Sequence, residues 1–289
     1  MATFFNQATL SYNGRLTNSN VTEGEILETL AVTKTAISQS YGENDSVVYA
    51  INLVNSGATQ IPGLTVSDNL GAYTAGTDTL YPLTYVQGSV RLFINGALAA
   101  SPTVNAGPPL VFSGITLPAG ANATLLYEAQ TNEFTPLADG STVTNTVTVV
   151  ADGIAPITDS AEISAENNTS LTIAKAICPA IVTDNGELTY TFIIQNSGNT
   201  EAVATDDVIV TDTFNPILNP ISVTYNGTAW SEGANYTYDE TTGDFATLPG
   251  QITVPGATYT QDPETGIITK TPGVAVITVT GTKIGRAHV

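Results

Sequence analysis

Three polar side chains fall where alternation along a strand points them inward. Lys34 shares parity with Leu30 and Val32, Asp68 with Leu64, Val66 and Leu70, and Asn145 with Val143, Val147 and Val149. In a half-buried strand alternate residues face the core, so a Lys, an Asp and an Asn are each expected there. An unpaired charge in that setting costs several kcal/mol, or the group changes protonation instead. Desolvation favours a free amine on a lysine and a neutral acid on an aspartate, the states that amide condensation needs. The amine of Lys34 would attack the Asn145 carboxamide, Asp68 would shuttle protons, and ammonia would leave. Held contact supplies a high effective molarity. The product, a Lys34–Asn145 cross-link, would join the first and last strands of a module. By analogy with a disulfide closing a loop of about 100 residues, it would stabilise by ~4–5 kcal/mol in the chain-entropy model. A buried Lys34–Asp68 ion pair, with Asn145 hydrogen-bonded beside it and no covalent bond, satisfies the same parities.

The elements that carry these residues are strands. Nearly every segment alternates apolar and polar residues at period two, and turn signals recur between the runs: Asn13-Gly14, Asn95-Gly96, Asp152-Gly153, Asn185-Gly186 and Asn226-Gly227. This is the pattern of an all-β sandwich protein.

The chain also repeats itself. Leu30 to Ala36 matches Leu171 to Ile177 at an offset of 141, and Tyr49 and Asn55-Ser56-Gly57 match Tyr190 and Asn196-Ser197-Gly198 at the same offset. Val66-Ser67-Asp68 then matches Val210-Thr211-Asp212 at an offset of 144. Two copies of one module follow. The expected division is residues 1–24 as a spare closing strand and linker, 25–150 as the first sandwich, 151–169 as a linker, 170–283 as the second sandwich, and 284–289 as an artefactual tail. That tail, Ile284 to Val289, resembles a translated sequencing-library adapter.

The second copy repeats Lys175, in parity with Leu171 and Ile173, and Asp212, in parity with Val208, Val210 and Phe214. It has no counterpart of Asn145. It runs out at Val276 to Thr280, which reads as the match of Ala123 to Tyr127, the penultimate strand of the first copy. At the other end, Phe5-Asn6-Gln7-Ala8-Thr9-Leu10 reads like Thr144-Asn145-Thr146-Val147-Thr148-Val149, with Phe4, Asn6, Ala8, Leu10 and Tyr12 in one parity. One expectation is that this N-terminal strand fills the open edge of the second module in another subunit, by strand addition, bringing Asn6 to Lys175 and Asp212 with an intermolecular bond to follow. Head-to-tail addition that does not close makes a filament. The competing account, suggested by the adapter-like tail, is that the natural chain supplies its own closing strand beyond Lys283.

Composition removes other functions. With 7 basic against 26 acidic residues and a net charge of -19, the chain has no electrostatic footprint for nucleic acid or an anionic lipid surface. One Cys and one His exclude a disulfide framework, a Cys-built metal site and a serine triad. No cofactor, no metal and no enzyme active site is expected. No apolar run is long enough to span a membrane, and the N-terminus carries no secretory signal as written. The acidic turns around Asn44 and Asn185 read as solvated, and the sequons at Asn20 and Asn168 as exposed loops. Cys178 is expected to pack as a small hydrophobe. Trp230, Tyr236 and Tyr238 could form a sugar-binding platform, with ordinary strand packing the plainer reading.

Taken in order, Leu30-x-Val32-x-Lys34-Thr35, Tyr49-x-Ile51-x-Leu53-x-Asn55-Ser56-Gly57, Val66-x-Asp68-x-Leu70, Leu117-Pro118-x-Gly120 and Val143-Thr144-Asn145-Thr146-Val147-x-Val149 resemble the DUF-eleven "conserved repeat" of bacterial surface proteins, over most of residues 25–283 in two copies. The resemblance implies immunoglobulin-like β-sandwiches in cell-wall, pilus and spore-surface proteins. The Lys, Asp and Asn order is similar to fimbrial domains with an internal isopeptide bond. The expected whole is therefore two tandem immunoglobulin-like β-sandwich modules plus an N-terminal donor-like strand. As a function, it is a structural subunit of a bacterial surface or spore-appendage fibre that self-associates into filaments. A surface-type module made without export fits a spore coat or appendage. The alternative is an adhesin for a glycan or host-surface ligand.

Overall fold

A strand with one apolar face must cover that face with another sheet, and two such sheets make a sandwich. The structure, a computed structural model, describes residues 2–26 and 29–283, which are built almost wholly of strands. The adapter-like residues 284–289 lie outside the described residues. The chain divides into two compact units: the first holds the residues up to Thr135 together with Thr142–Ser164, the second Pro136–Ser141 with the residues from Ala165 onward.

In the first unit one sheet has the order β13 (Ala97–Leu98), β12 (Arg91–Ile94), β16 (Asn122–Thr131), β7 (Ser46–Asn55), β5 (Leu30–Ala36), with β11 (Leu83–Tyr85) also on β16. The other has the order β14 (Thr103–Asn105), β15 (Leu110–Leu117), β8 (Ile61–Asp68), β17 (Thr142–Ala151), β18 (Ile154–Ala165), β6 (Ser40–Tyr41). A small hairpin, β9 (Tyr73–Ala75) with β10 (Asp78–Leu80), stands apart. Between the sheets lies a core that includes Ile51, Leu53, Leu64, Phe112, Leu125 and Val147, all fully enclosed.

The second unit has a five-stranded sheet, β19 (Leu171–Cys178), β20 (Glu187–Asn196), β28 (Gly273–Lys283), β22 (Leu218–Tyr225), β23 (Thr228–Trp230). Against it stand only three strands, β21 (Thr211–Thr213), β25 (Asp244–Thr247) and β24 (Tyr236–Tyr238), with a separate hairpin β26 (Thr258–Gln261) and β27 (Ile268–Thr271). The large sheet reproduces β5-β7-β16-β12-β13 strand for strand, and β21-β25-β24 reproduces β8-β15-β14. In this second sheet the strands without counterparts are β17, β18 and β6, so the outer edge of β21 is open among the described residues.

Two boundaries differ from the sequence expectation. Residues 154–165, read as linker, form β18, which pairs along β17 from Thr142↔Ser164 to Ala151↔Ile154 and buries Ala161, Ile163 and Ala165. Its small apolar residues alternate with Asp, Ser and Glu, which lowers its hydrophobicity below what a core strand normally shows. Residues 1–24 were expected to be one strand and a linker. Instead residues 2–26 make a two-stranded ribbon: β1 (Ala2–Asn6) pairs with β4 (Thr22–Ile26), and β2 (Thr9–Tyr12) with β3 (Arg15–Asn18). The Asn13-Gly14 turn has both residues at positive φ, as a two-residue hairpin requires. These four strands pair with no others among the described residues, and Phe4, Leu10, Tyr12 and Leu16 are more than half exposed.

Candidate functional site

Three strands bring the polar residues of the first unit together. Lys34 sits mid-way along β5, whose burial alternates without a break, and its amine is completely enclosed. Asp68 ends β8, after which the chain turns sharply through Leu70 (φ 52°) and Gly71 (φ 72°). A Cβ at Gly71 would lie 2.5 Å from Val143 Cγ1, so glycine lets β17 approach here. In the same turn Asn69 clasps β17: its backbone N–H donates to Thr146 O, and its Oδ1 accepts from Thr146 N–H at 2.8 Å. That clasp fixes the neighbouring Asn145 against Asp68's end of the core.

The result is a closed polar chain. Lys34 Nζ donates to Asp68 Oδ2 at 2.5 Å, and Tyr127 Oη donates to the same oxygen at 2.5 Å. Asn145 Nδ2 in turn donates to Tyr127 Oη at 3.0 Å, and Leu70 N–H donates to Asp68 Oδ1 at 2.9 Å. Lys34 Nζ also lies 4.9 Å from the Tyr49 ring centroid. Among the described residues Asn145 Oδ1 and Tyr49 Oη are buried without a well-formed hydrogen bond, the Asn145 side chain being a polar neighbour of Tyr49 Oη. From outside the pair, Asp159 on β18 accepts the Lys34 backbone N–H at 2.6 Å. Sequence reasoning named Lys34, Asp68 and Asn145 but missed Tyr127, which stands between the acid and the amide, and Tyr49. The signal was present: Tyr127 shares parity with Ala123 and Leu125, and Tyr49 with Val47 and Ile51.

Burial is the largest influence on Lys34 and lowers its pKa from 10.5 to about 8, with Asp68 opposing. The same burial raises the pKa of Tyr127 and Tyr49 above 10.0. A cation whose folded pKa is depressed binds fewer protons folded than unfolded between the two values, so stability rises with pH across that window. A phenol whose folded pKa is raised reverses the slope above its unfolded value. An Asn145→Ala chain, which cannot condense, is therefore expected to gain up to roughly 3 kcal/mol between pH 8 and 10 and to lose stability above it, read by urea unfolding. A chain in which Lys34 had formed an amide would show no such rise. A flat profile in the variant would remove Lys34 as a buried titrating amine.

In the second unit the same geometry stands open. Lys175 Nζ pairs with Asp212 Oδ2 and lies 4.3 Å from the Tyr190 ring centroid, as Lys34 lies over Tyr49. The Lys175 side chain is 39% exposed, against 0% for Lys34. Around it Ile173 is 56% and Ile177 43% exposed, where Val32 and Ala36 are 9% and 7%. A shallow depression spans the three strands of the small sheet and is lined by Thr211, Asp212, Thr213, Thr237, Asp244 and Ala246. Asn6 lies on exposed β1, opposite Thr22.

The repeat match at the last strand shifts by one residue. Tyr49 faces Tyr127 across β7 and β16, and its counterpart Tyr190 faces Val279 across β20 and β28. Ala275, Ile277 and Val279 are therefore the buried counterparts of Ala123, Leu125 and Tyr127. The sequence match had paired Val276 with Ala123, because the run Val274 to Ile277 is apolar at both parities. One consequence is that the second unit has no tyrosine hydroxyl at the position of Tyr127.

Other sequence expectations resolve simply. Cys178 is exposed at the end of β19 rather than packed. Tyr236 is buried against Phe245, Tyr238 packs on Phe214 and donates to Leu218 O at 2.8 Å, and Trp230 stacks on Tyr225. These rings are strand packing. Asn55 and Asn196 of the Asn-Ser-Gly motifs are buried clamps: each amide donates to carbonyls across the sheet corner, and each Oδ1 accepts from the following Gly N–H. Among the described residues no group of acidic, His or Cys side chains is placed to hold a metal ion, and no helix is long and apolar enough to cross a membrane.

The fold and site define an all-β protein of two sandwich units, one enclosing a Lys–Asp–Tyr–Asn chain and one exposing its Lys–Asp pair. No family model matches the chain, so the DUF-eleven resemblance stands on its motifs alone, and no curated protein matches it. Among solved structures it is similar to BcpA, the major pilin subunit of Bacillus cereus, at 13% identity and a TM-score of 0.36, over 94% of this chain and 73% of that one. The pilus backbone RrgB of Streptococcus pneumoniae is similar at 10% identity and 0.35, over 85% and 56%. The collagen-binding domain of a Staphylococcus aureus adhesin is similar at 11% identity and 0.30, over 49% and 100%. At these values the likenesses carry no statement about activity.

Proposed function

We propose that this chain is a structural subunit of a bacterial surface or spore-appendage fibre, assembled head-to-tail. In this reading the N-terminal strand of one copy enters the open edge of β21 in the next copy, and Lys–Asn amide bonds lock the structure within and between subunits. Lys34 and Asn145 would condense inside the first unit, with Asp68 and Tyr127 relaying the proton. Lys175 and Asp212 would meet Asn6 of the incoming copy. In each bond the amine nitrogen joins the carboxamide carbon, the carbon–nitrogen bond of the amide breaks, and ammonia carries off the nitrogen. The observation that carries the reading is the contrast at one repeat position, where the face around Lys34 is sealed by β17 and β18 and the face around Lys175 is bare. The enclosed amine of Lys34 and the exposed apolar face of the ribbon are consistent with a structural role.

Deleting residues 2–13 from the full chain is expected to abolish fibres seen by electron microscopy while leaving both units folded. Fibres that form unchanged from the deleted chain overturn strand addition.

A further inference from the structure

The unit that leaves and enters is a hairpin. We infer that the whole ribbon, residues 2–26, docks as a preformed two-stranded piece into the second unit of another copy, its first strand on β21 and its return strand taking the place of β18. This rests on the strand-addition reading above and sharpens what is added.

Two hairpins in this chain share the same end-to-end register. In the closing hairpin of the first unit, Thr142 pairs with Ser164, Asn145 with Ala161 and Ala151 with Ile154, around the Asp152-Gly153 turn. In the ribbon, Thr3 pairs with Glu25, Asn6 with Thr22 and Tyr12 with Arg15, around Asn13-Gly14. Every one of these pairs is displaced by the same 139 positions. Both hairpins carry one surplus residue on the return strand, between Ile154 and Ile157 in one and between Asn18 and Thr22 in the other, so the pairs between those two points, such as Thr9 with Asn18 against Thr148 with Thr158, differ by one. A ribbon already held in the partner's register loses less conformational entropy on docking than a free strand does.

The faces also correspond. Val143, Asn145, Val147, Val149 and Ala151 are buried in the first unit, and their counterparts Phe4, Asn6, Ala8, Leu10 and Tyr12 are exposed in the ribbon. Where the closing hairpin packs Val143 beside Ile163, the ribbon lays the Phe4 ring over Gly24, with a Cβ at Gly24 only 2.5 Å from the ring. One large and one absent side chain replace two medium ones. Transposing the β8–β17 ladder sets Ala8 opposite Asp212 of β21, and Leu10 and Ser11 opposite Val210 and Ile209 in the segment just before β21. The return strand differs in detail: Asp159 on β18 faces Val147 and accepts the Lys34 backbone N–H, and the ribbon residue facing Ala8 is Ser19.

The test is a staple across the ribbon. Thr9 and Asn18 face each other, their side chains joined by a hydrogen bond of 2.9 Å, and Thr9 has the parity opposite to the docking face. A full-length Thr9→Cys, Asn18→Cys chain with Cys178→Ala is assembled with the disulfide closed and again after reduction, each sample being the folding control of the other. Equal fibre yield closed and reduced is expected. In a mixture of Ser11→Cys and Ile209→Cys chains, both also Cys178→Ala, an intermolecular disulfide is expected, and Ser11→Cys with Thr211→Cys should give none. Fibres only after reduction would mean the ribbon must open, which overturns hairpin docking and leaves single-strand addition standing. No fibres and no intermolecular disulfide in any sample, alongside a wild type that also fails to assemble, would overturn both readings and leave the groove to a segment of the same chain.

Discussion

Asp68→Ala will destabilise the first sandwich by roughly 3–5 kcal/mol, the penalty for leaving a buried charge without its partner. Three losses coincide: Lys34 keeps an enclosed amine with no counter-charge, Tyr127 Oη loses its acceptor, and Leu70 N–H at the turn loses Asp68 Oδ1. Urea unfolding of the full chain reads the change in the transition that belongs to the first unit. The doubly substituted chain Lys34→Met, Asp68→Leu should recover much of the loss, because an apolar pair of similar bulk needs no partner. Intact mass adds the covalent arm. If Lys34 and Asn145 condense, wild type is lighter by one ammonia for that bond and Asp68→Ala is not. A cost below about 1 kcal/mol, with no mass difference, would sink both the ion pair and the condensation as sources of stability.

The second large effect separates two residues that occupy the same repeat position. Val32→Asp is expected to unfold or severely weaken the first unit, since it puts a lone carboxylate into a sealed core at a cost of several kcal/mol. Ile173→Asp is expected to change the stability of the isolated subunit by no more than about 1 kcal/mol, because Ile173 is 56% exposed there. In the proposed assembly the ranking reverses: Ile173→Asp would place a charge on the face that an incoming ribbon would cover, and fibres are expected to be lost. Thermal unfolding at low concentration and fibre yield by pelleting measure the two arms. An Ile173→Asp chain that assembles normally would mean that face stays bare in the fibre.

Parity carried the sequence reading a long way, because a strand offers only two faces. Lys34, Asp68 and Asn145 were each located from their apolar neighbours, and all three are enclosed. Parity fails where a run is apolar on both faces, as from Val274 to Ile277, where the match to the first unit slipped by one residue and hid the change from Tyr127 to Val279. It fails again where an outer strand is mostly polar: β18 buries only Ala161, Ile163 and Ala165 across its width, too little to stand out from a linker. The hydroxyl between Asp68 and Asn145 was missed because tyrosine at an inward position reads as an ordinary core ring. What no strand pattern can report is whether a partner covers the inward face. Leu171, Ile173 and Ile177 have the sequence of a core strand and the exposure of a surface one.

In the proposed fibre, the length of the open edge would bear on the chain before it meets another copy. β8, which accepts β17, is eight residues long, and its counterpart β21 is three. A bare edge is a template for indiscriminate pairing, and its hazard grows with the number of free amides in a row. Keeping β21 short limits what a stray strand can gain, while a ribbon that also reaches the β19 side can recover more. If the chain polymerises as proposed, a shortened edge of this kind would favour a reservoir of unpolymerised subunits until growth begins.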